Sequence, residues 1–167
     1  WLRQAGTVQT EEDPWLALIT ETGHLINDLR EEYLKDFAHH FSWVLERLDS
    51  KLSCHFEYNV GGYEKNLADT RKKMTEALQR EVKSGSTQLG PHRADLIIRM
   101  DEASASETAS RGQGKAIASA AALAQASLMA DKHQRPSLVL IDDIGAEFDS
   151  EHRVNSVSYT HLTLPTI

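Results

Sequence analysis

The sequence predicts an α/β protein with an additional α-rich, long-helical part. Two patterns support this prediction. Apolar residues recur every three or four positions over about 35 residues near the start, which is typical of one helical face. After residue 85, strand-like, loop-like and helix-like segments alternate, which favours a layered α/β arrangement. We therefore expect a helical arm over residues 1–84 and an α/β lobe over residues 85–156.

The first predicted helix runs from Asp13 to about Ser50, with Asp13 as N-cap and Pro14 at the first helical position. At about 1.5 Å per residue it would be roughly 50 Å long, so we interpret it as an arm, with Gly23 as the place for a bend. Its apolar face comprises Trp15, Leu18, Ile19, Leu25, Ile26, Leu29, Tyr33, Phe37, Phe41, Val44, Leu45 and Leu48.

A short strand is predicted next, over Leu52–Tyr58, because apolar residues alternate with polar ones before the turn at Gly61-Gly62. A second helix is predicted from Tyr63 to Lys83, with Gly85 as its stop. Its apolar face comprises Leu67, Met74, Leu78 and Val82. The basic run Arg71-Lys72-Lys73 is either a solvated face or a contact to the DNA backbone.

The second part begins with the run Gly90-Pro91-His92-Arg93 and a predicted strand over Ala94–Met100. A polar stretch over 101–108 leads to Ser110-Arg111-Gly112-Gln113 and to a predicted alanine-rich helix over Ala116–Ala130. After a loop at 131–136, the run Leu138–Ile141 has no alternation, which is typical of a strand buried on both faces of a parallel sheet.

Composition limits the possible functions. The 25 acidic and 18 basic residues give a net charge of -7, so bulk charge cannot attract nucleic acid and any DNA contact needs a local basic patch. The sequence contains no run of eighteen apolar residues and does not open like a secretory signal. The single cysteine, Cys54, fits a reducing compartment, and we interpret it as a small buried residue rather than a catalytic thiol. We expect a cytoplasmic protein without a membrane role.

The two ends of the sequence suggest a piece of a longer protein. The chain opens at Trp1 without Met, and residues 1–4 resemble a helix entered in mid-course. Residues 157–167 carry no Asp, Glu, Lys or Arg and resemble the translation of a transposon sequencing adapter, so we expect them to be non-native. The alternative for these residues is a natural edge strand.

Asp142 and Asp143 follow the apolar run directly, and unpaired charge at the rim of a core is costly unless it is used. In phosphoryl-transfer sites, the first acid after such a strand holds Mg²⁺ and the next can orient or deprotonate water. Asp142 is therefore the candidate metal ligand and Asp143 the candidate catalytic base. The alternative is that the two residues cap a turn.

Ser110-Arg111-Gly112-Gln113 stands at the start of a predicted helix, where backbone N–H groups and the helix dipole favour phosphate. Simple N-capping is the alternative. The segment is no phosphate loop of the G-x-x-x-x-G-K-[ST] type, because Ala109 and Ala116 stand where Gly and Ser or Thr are required.

The motif order is more specific than any single motif. Ser110-Arg111-Gly112-Gln113, an alanine-rich helix, an apolar strand ending in Asp-Asp, and Gly145–Asp149 resemble the signature motif, Walker B strand and D-loop of an ABC-type ATPase lobe. The run Gly90–Leu96, together with Asp13-Pro14-Trp15 and Arg30–Leu34, narrows the resemblance to the bacterial RecF family, over residues 1–156.

This resemblance implies an SMC-type ATPase that binds ATP and Mg²⁺ and sandwiches ATP in a homodimer. It implies DNA with gaps or single-stranded/double-stranded junctions as substrate, RecR and RecO as partners, and roles in recombinational gap repair, replication-fork maintenance and the SOS response near the nucleoid. Ser110 and Gly112 would contact γ-phosphate in trans, and Gln113 would support them. Arg111 would add a donor, and Asp149 would be the D-loop acid.

Some features depart from the family pattern. Ala109 stands where a large apolar residue is usual, and Gly114 stands where a second Gln is usual. The lobe that carries the phosphate loop is not among the 167 residues, so we expect the chain alone to be inactive as an ATPase. A helical protein-interaction module without nucleotide chemistry is the alternative function. A third possibility is another ATPase of the wider Rad50 or SMC group. Such a protein would need a long coiled coil with sustained heptads, which the predicted arm does not show.

Overall fold

The computed structural model describes residues 14–140 and contains four helices and three strands in that range. The helices are α1 (Pro14–Leu48), α2 (Leu67–Ser84), α3 (Ala105–Thr108) and α4 (Arg111–His133), and the strands are β1 (Cys54–Asn59), β2 (Asp95–Met100) and β3 (Ala103–Ser104). None of the helices in this range is long and apolar enough to cross a membrane.

The described residues form two compact units. The first contains residues 14–32 and 58–96, and the second contains residues 33–57 and 97–140. Helix α1 contributes residues to both units. The predicted arm and lobe divide the chain at residue 84 instead, and that division stays a prediction.

Helix α1 confirms the long helix predicted from the apolar spacing, since it runs through 35 residues from Pro14. Gly23 lies inside it rather than at an end. A Cβ atom at Gly23 would lie 1.7 Å from Tyr63 Oη, and the Tyr63 hydroxyl donates to Ile19 O at 2.7 Å. The glycine therefore permits a tyrosine ring to approach the helix backbone closely.

Helix α2 begins four residues later than predicted. Asn66 is its N-cap, and the Asn66 side chain accepts from the backbone N–H of Asp69 at 2.8 Å. Gly85 ends the helix in the left-handed conformation, as the sequence predicted. The predicted apolar face is wrong at Leu67, which is 43% exposed because it lies in the first turn. The buried positions of this helix are Thr70, Met74, Ala77 and Glu81.

The sheet has the order β1-β2-β3, and β2 pairs antiparallel with β3 in the register Arg99↔Ser104 and Met100↔Ala103. The sequence predicted only a polar stretch over 101–108, whereas the structure has β3 and α3 there. Asp101 makes the tight connection possible because it adopts a left-handed conformation, with φ 52. Asp is one of the few residues that tolerate this conformation.

Helix α4 is longer at both ends than the predicted helix over Ala116–Ala130. It begins at Arg111, because Ser110 and Gln113 form a capping box that offsets the low helix propensity of the nearby glycines. It ends at His133, after which Gln134 adopts a left-handed conformation as the C-cap.

The predicted buried strand at Leu138–Ile141 is wrong for residues 138–140, which form no strand. Leu138 and Leu140 are each 86% exposed, and only Val139 packs against the core of the second unit. A strand buried on both faces needs neighbours on either side. Within the described residues β1, β2 and β3 pair with one another and not with this run. Ile141 lies outside the described residues.

The core of the second unit is formed mainly by α1 and α4. Aromatic rings pack at its centre, where the centroids of Phe41 and Phe56 are 4.8 Å apart and those of Phe37 and Phe56 are 5.3 Å apart. Small residues of α4 permit the close approach expected of an alanine-rich helix. The buried residues on these two helices are Phe37, Phe41, Val44, Leu45, Leu48, Ala116, Ile117, Ala120, Leu123, Ala124 and Leu128.

Candidate phosphate-binding site

The start of α4 is organised by a reciprocal pair of hydrogen bonds. The Ser110 hydroxyl oxygen accepts from the backbone N–H of Gln113 at 3.3 Å, and Gln113 Oε1 accepts from the backbone N–H of Ser110 at 2.8 Å. Both bonds satisfy donors that a helix start otherwise leaves without partners. The two residues fix the helix start in one conformation.

Two further backbone donors remain at this end. Within residues 14–140, the N–H groups of Arg111 and Gly112 donate to no protein acceptor. A Cβ at Gly112 would meet nothing within 4 Å, so a ligand can approach its backbone. The Ser110 hydroxyl accepts one bond and still has its own proton to donate. These donors, with the positive end of the helix dipole, have the chemistry of a phosphate site.

Solvent reaches this helix start while the following turn is anchored. Ser110, Arg111 and Gly112 are exposed, whereas Ala116 and Ile117 are 1% and 5% exposed in the core. Arg111 makes no hydrogen bond or ion pair within the described residues, so its guanidinium is available to an anion. Of the two departures from the family pattern, Ala109 packs against the core and Gly114 is in open space.

Polar contacts hold the far end of α4 against α1 in the same unit. Lys132 Nζ lies 2.9 Å from Asp36 Oδ2, and the Lys132 ammonium lowers the pKa of the Asp36 carboxyl, first by hydrogen bonding and then by its charge. His40 Nδ1 lies 3.1 Å from Ser127 Oγ, and His40 Nε2 lies 3.6 Å from Asp131 Oδ2. These contacts and the buried face of α4 together fix the direction of the helix.

Three predicted site residues lie outside the described residues, namely Asp142, Asp143 and Asp149. The structure therefore places Ser110, Arg111, Gly112 and Gln113 together at one helix start and does not test the carboxylates. Within residues 14–140, no three His, Cys, Asp or Glu side chains are grouped to hold a metal ion.

The basic run on α2 is largely neutralised. Arg71 Nη2 lies 3.8 Å from Glu21 Oε1, and Lys73 Nζ lies 2.5 Å from Glu64 Oε1. Among the alternatives for this run, these ion pairs favour the solvated face.

Cys54 is half-buried, and this burial, with the Asp101 charge as a smaller cause, raises the pKa of its thiol. A raised pKa is unlike that of a catalytic thiol, whose reactive form is the thiolate.

A second organised feature, the hydrogen-bonded loop formed by residues 87–93, was not predicted from the sequence. Arg93 donates from Nε and Nη2 to Thr87 O at 2.9 and 2.8 Å, and His92 Nε2 lies 2.8 Å from Thr87 Oγ1. From α1, Arg30 Nη1 donates to Pro91 O at 2.8 Å. The unusual run Gly90-Pro91-His92-Arg93 was the signal for this loop, but it did not indicate Arg30 as a contact.

Similar proteins were found by sequence, although no family model matches the chain. The chain is 36% identical over 132 residues to the DNA replication and repair protein RecF of Marinomonas sp. (strain MWYL1). The aligned residues make up 78% of this chain and 35% of that protein. It is 34% identical over 143 residues to the protein of the same name from Chromohalobacter salexigens, covering 83% of this chain and 38% of that protein. The chain thus spans well under half of these relatives.

Solved structures have the same fold. One is a structure of the recombination mediator protein RecF with ATP, from the RecFOR pathway. The superposition covers 96% of this chain and 44% of the RecF chain, with a TM-score of 0.80 and 21% identity. This likeness confirms the predicted α/β class with a long-helical part. The sequence relatives, at 36% and 34% identity over 78% and 83% of this chain, show that it belongs to the RecF family.

Proposed function

We propose that this chain supplies the signature half of an ATP site in a DNA-binding replication and repair protein. The observation that carries the proposal is the exposed start of α4, where two backbone N–H groups and one hydroxyl proton have no acceptor among residues 14–140. A terminal phosphate fits this donor set, because it is a small anion with several acceptor oxygens. The family's solved structures with ATP and with an ATP analogue support the choice of nucleotide.

Each residue at the start of α4 then has a distinct role. The Ser110 hydroxyl and the Gly112 N–H donate to the γ-phosphate of an ATP held by a second subunit, so that ATP is sandwiched in a homodimer. Arg111 adds a cationic donor. Gln113 is a positioning residue, because its side chain holds the Ser110 backbone at 2.8 Å.

The carboxylates that follow the described residues complete the proposal. Asp142 would hold Mg²⁺, which neutralises phosphate charge when bound, and Asp143 would orient or deprotonate the attacking water. Asp149 would lie in the D-loop at the subunit interface. These assignments rest on the motif order in the sequence.

The wider role is proposed from the resemblance to the family. We propose a cytoplasmic, nucleoid-associated protein that acts on gapped or junction DNA with RecO and RecR in recombinational gap repair. Residues 1–84 would belong to the arm and residues 85–156 to the ATPase lobe, with residues 157–167 as a non-native tail. The relatives' name and the pathway of the solved structure support this placement.

Two substitutions of one residue test the site, in a full-length RecF chain whose homologous segment is replaced by this sequence. Ser110→Asp keeps a side chain that caps helices well but adds negative charge where phosphate would bind. Ser110→Ala loses the cap as well. We expect both variants to weaken ATP-dependent dimerisation by roughly ten- to a hundredfold, which corresponds to one charge-assisted hydrogen bond.

The readouts separate binding from stability. Light scattering after gel filtration, with and without ATP, measures dimerisation, and thermal unfolding measures stability. Ser110→Asp should unfold at the parent temperature, whereas Ser110→Ala should unfold earlier. Unchanged ATP-dependent dimerisation in Ser110→Asp would refute the proposed phosphate contact.

One observation favours the second candidate function, a helical interaction module without nucleotide chemistry. Leu18, Leu25 and Leu29 are 54%, 59% and 58% exposed and lie on one side of α1, opposite the buried Thr20 and Asn27. In the same full-length chain, Asp142→Asn discriminates the two functions. Unchanged ATP hydrolysis in this variant would leave the interaction module as the better account.

A further inference from the structure

The 87–93 loop is held by hydrogen bonds among its own residues and to Gly61. Gly90 N donates to Gly61 O, and Arg93 N donates to Gly90 O, both at 2.9 Å. The Arg93 guanidinium closes the loop on Thr87 O with two bonds. A Cβ at Gly61 would lie 2.2 Å from Gly90 O, so the two glycine-containing turns are in close contact. Three hydrogen bonds therefore hold Arg93 in place without a ligand.

Arg30 is fixed at the same loop from the side of α1. Besides its bond to Pro91 O, Arg30 Nη1 lies 3.4 Å from Tyr58 Oη, and the Tyr58 hydroxyl donates to Asn27 Oδ1 at 2.7 Å. Asn27 is 5% exposed and donates from Nδ2 to Val60 O at 3.1 Å. A partly buried network thus supports an exposed guanidinium.

Within residues 14–140, Arg30 and Arg93 form no ion pair with a carboxylate. The hydrogen-bond acceptors of these two side chains in this range are neutral groups, namely Pro91 O, Tyr58 Oη and Thr87 O. Arg71 and Arg99, in contrast, form ion pairs with Glu21 and Glu57. A guanidinium has five N–H donors, so Arg30 and Arg93 each keep about three for another acceptor. Both side chains are exposed to solvent.

We infer that Arg30 and Arg93, on the 87–93 loop, form a surface that binds the phosphate backbone of DNA. This inference rests on the proposed function, because it locates the DNA contact of a DNA-binding protein. Two guanidinium groups held in place lose little side-chain entropy on binding, and planar N–H pairs match phosphate oxygens. A local site of this kind is what a chain with a net charge of -7 needs.

The test uses the 167-residue chain and fluorescein-labelled DNA of about 30 base pairs in two unrelated sequences, with anisotropy measured over a range of salt concentrations. Arg30→Gln and Arg93→Gln remove the charge but keep an amide donor for Pro91 O or Thr87 O. The matched control is Arg80→Gln, because Arg80 is exposed on α2 and has no ion pair within the described residues. Thermal unfolding of each variant checks that the loop remains folded.

We expect Arg30→Gln and Arg93→Gln each to weaken binding roughly tenfold on both sequences and to reduce the slope of log K against log salt by about 1. Arg80→Gln should bind as the parent does. No measurable binding by the parent chain at low salt would overturn the inference, as would equal losses in Arg80→Gln. Competition by ATP alone would indicate a nucleotide site and would also overturn it.

The DNA-binding test and the test of the ATP site can fail separately. Loss of DNA binding in Arg93→Gln with normal dimerisation of Ser110→Asp would support the DNA surface and refute the signature contact. The reverse pattern would leave the signature contact standing and refute the DNA surface.

Discussion

The guanidinium of Arg30 donates a hydrogen bond to the backbone carbonyl of Pro91 at 2.8 Å, across 61 residues of sequence. Each partner belongs to a segment that resembles the RecF family, and neither segment alone suggests the contact. The bond joins α1 to the 87–93 loop within one compact unit. Two segments that resemble the RecF family, 30–34 and 90–96, are far apart in the sequence but meet at one exposed surface.

Removing the Arg30 side chain should loosen this loop. We expect Arg30→Ala to lower the free energy of unfolding by about 1 kcal/mol, the usual net contribution of one hydrogen bond. Urea denaturation measures this change, and Arg80→Ala should stay within about 0.5 kcal/mol of the parent. Equal stabilities of the two variants would contradict the anchoring role.

The same substitution at two helical glycines should have opposite effects. Gly23→Ala places a Cβ 1.7 Å from Tyr63 Oη, and we expect it to cost about 1–3 kcal/mol, as overpacking does. The Cβ added by Gly114→Ala would meet nothing within 4 Å, so the higher helix propensity of alanine should stabilise α4 by up to about 1 kcal/mol. Melting temperatures that shift in the same direction would disprove this account.

Glu81 should be a stabilising residue despite its charge. Its side chain is 6% exposed, and Oε1 accepts from the backbone N–H groups of Gln88 and Leu89 at 2.6 and 3.1 Å. Glu81→Ala leaves both donors without this acceptor, and we expect a loss of about 2 kcal/mol. Glu76 is exposed on the same helix, and Glu76→Ala should change stability by less than about 0.5 kcal/mol. Denaturant titration of both variants provides the comparison.

Cys54 should react slowly with thiol reagents. Burial raises the pKa of its thiol, so the folded protein has less thiolate at pH 8 than a free cysteine has. We expect modification by a chromogenic disulfide reagent to be severalfold slower in the folded chain than in urea. The difference should narrow as the pH rises through the raised pKa, because thiolate then forms in both states. Equal rates at pH 8 would contradict the burial of this side chain.

The sequence predicted those parts of the fold that depend on local patterns. The apolar spacing from Trp15 to Leu48 defines α1, since one helical face must be covered. The Ser110 cap and Gln113 lie three residues apart, so their pairing is also local. The start of the candidate site was predictable for this reason, although α4 begins five residues before the predicted helix.

Non-local contacts account for the errors. Strand β3 has only two residues, too few to show a period, and it depends on pairing with Arg99 and Met100. The run at 138–140 has strand composition, but a buried strand also needs neighbours, and the sheet of the described residues supplies none. The Arg30 contact depends on tertiary structure in the same way. Composition alone cannot indicate such contacts.

The 167-residue chain alone should hydrolyse no ATP, because it contains no G-x-x-x-x-G-K-[ST] loop to hold the β- and γ-phosphates. A coupled assay for ADP release measures turnover in the purified chain and in Asp143→Asn. Turnover that is equal in both proteins comes from a contaminant, since the variant lacks the proposed catalytic base. Turnover that Asp143→Asn abolishes would contradict the prediction and would require a phosphate-binding element that this sequence does not show.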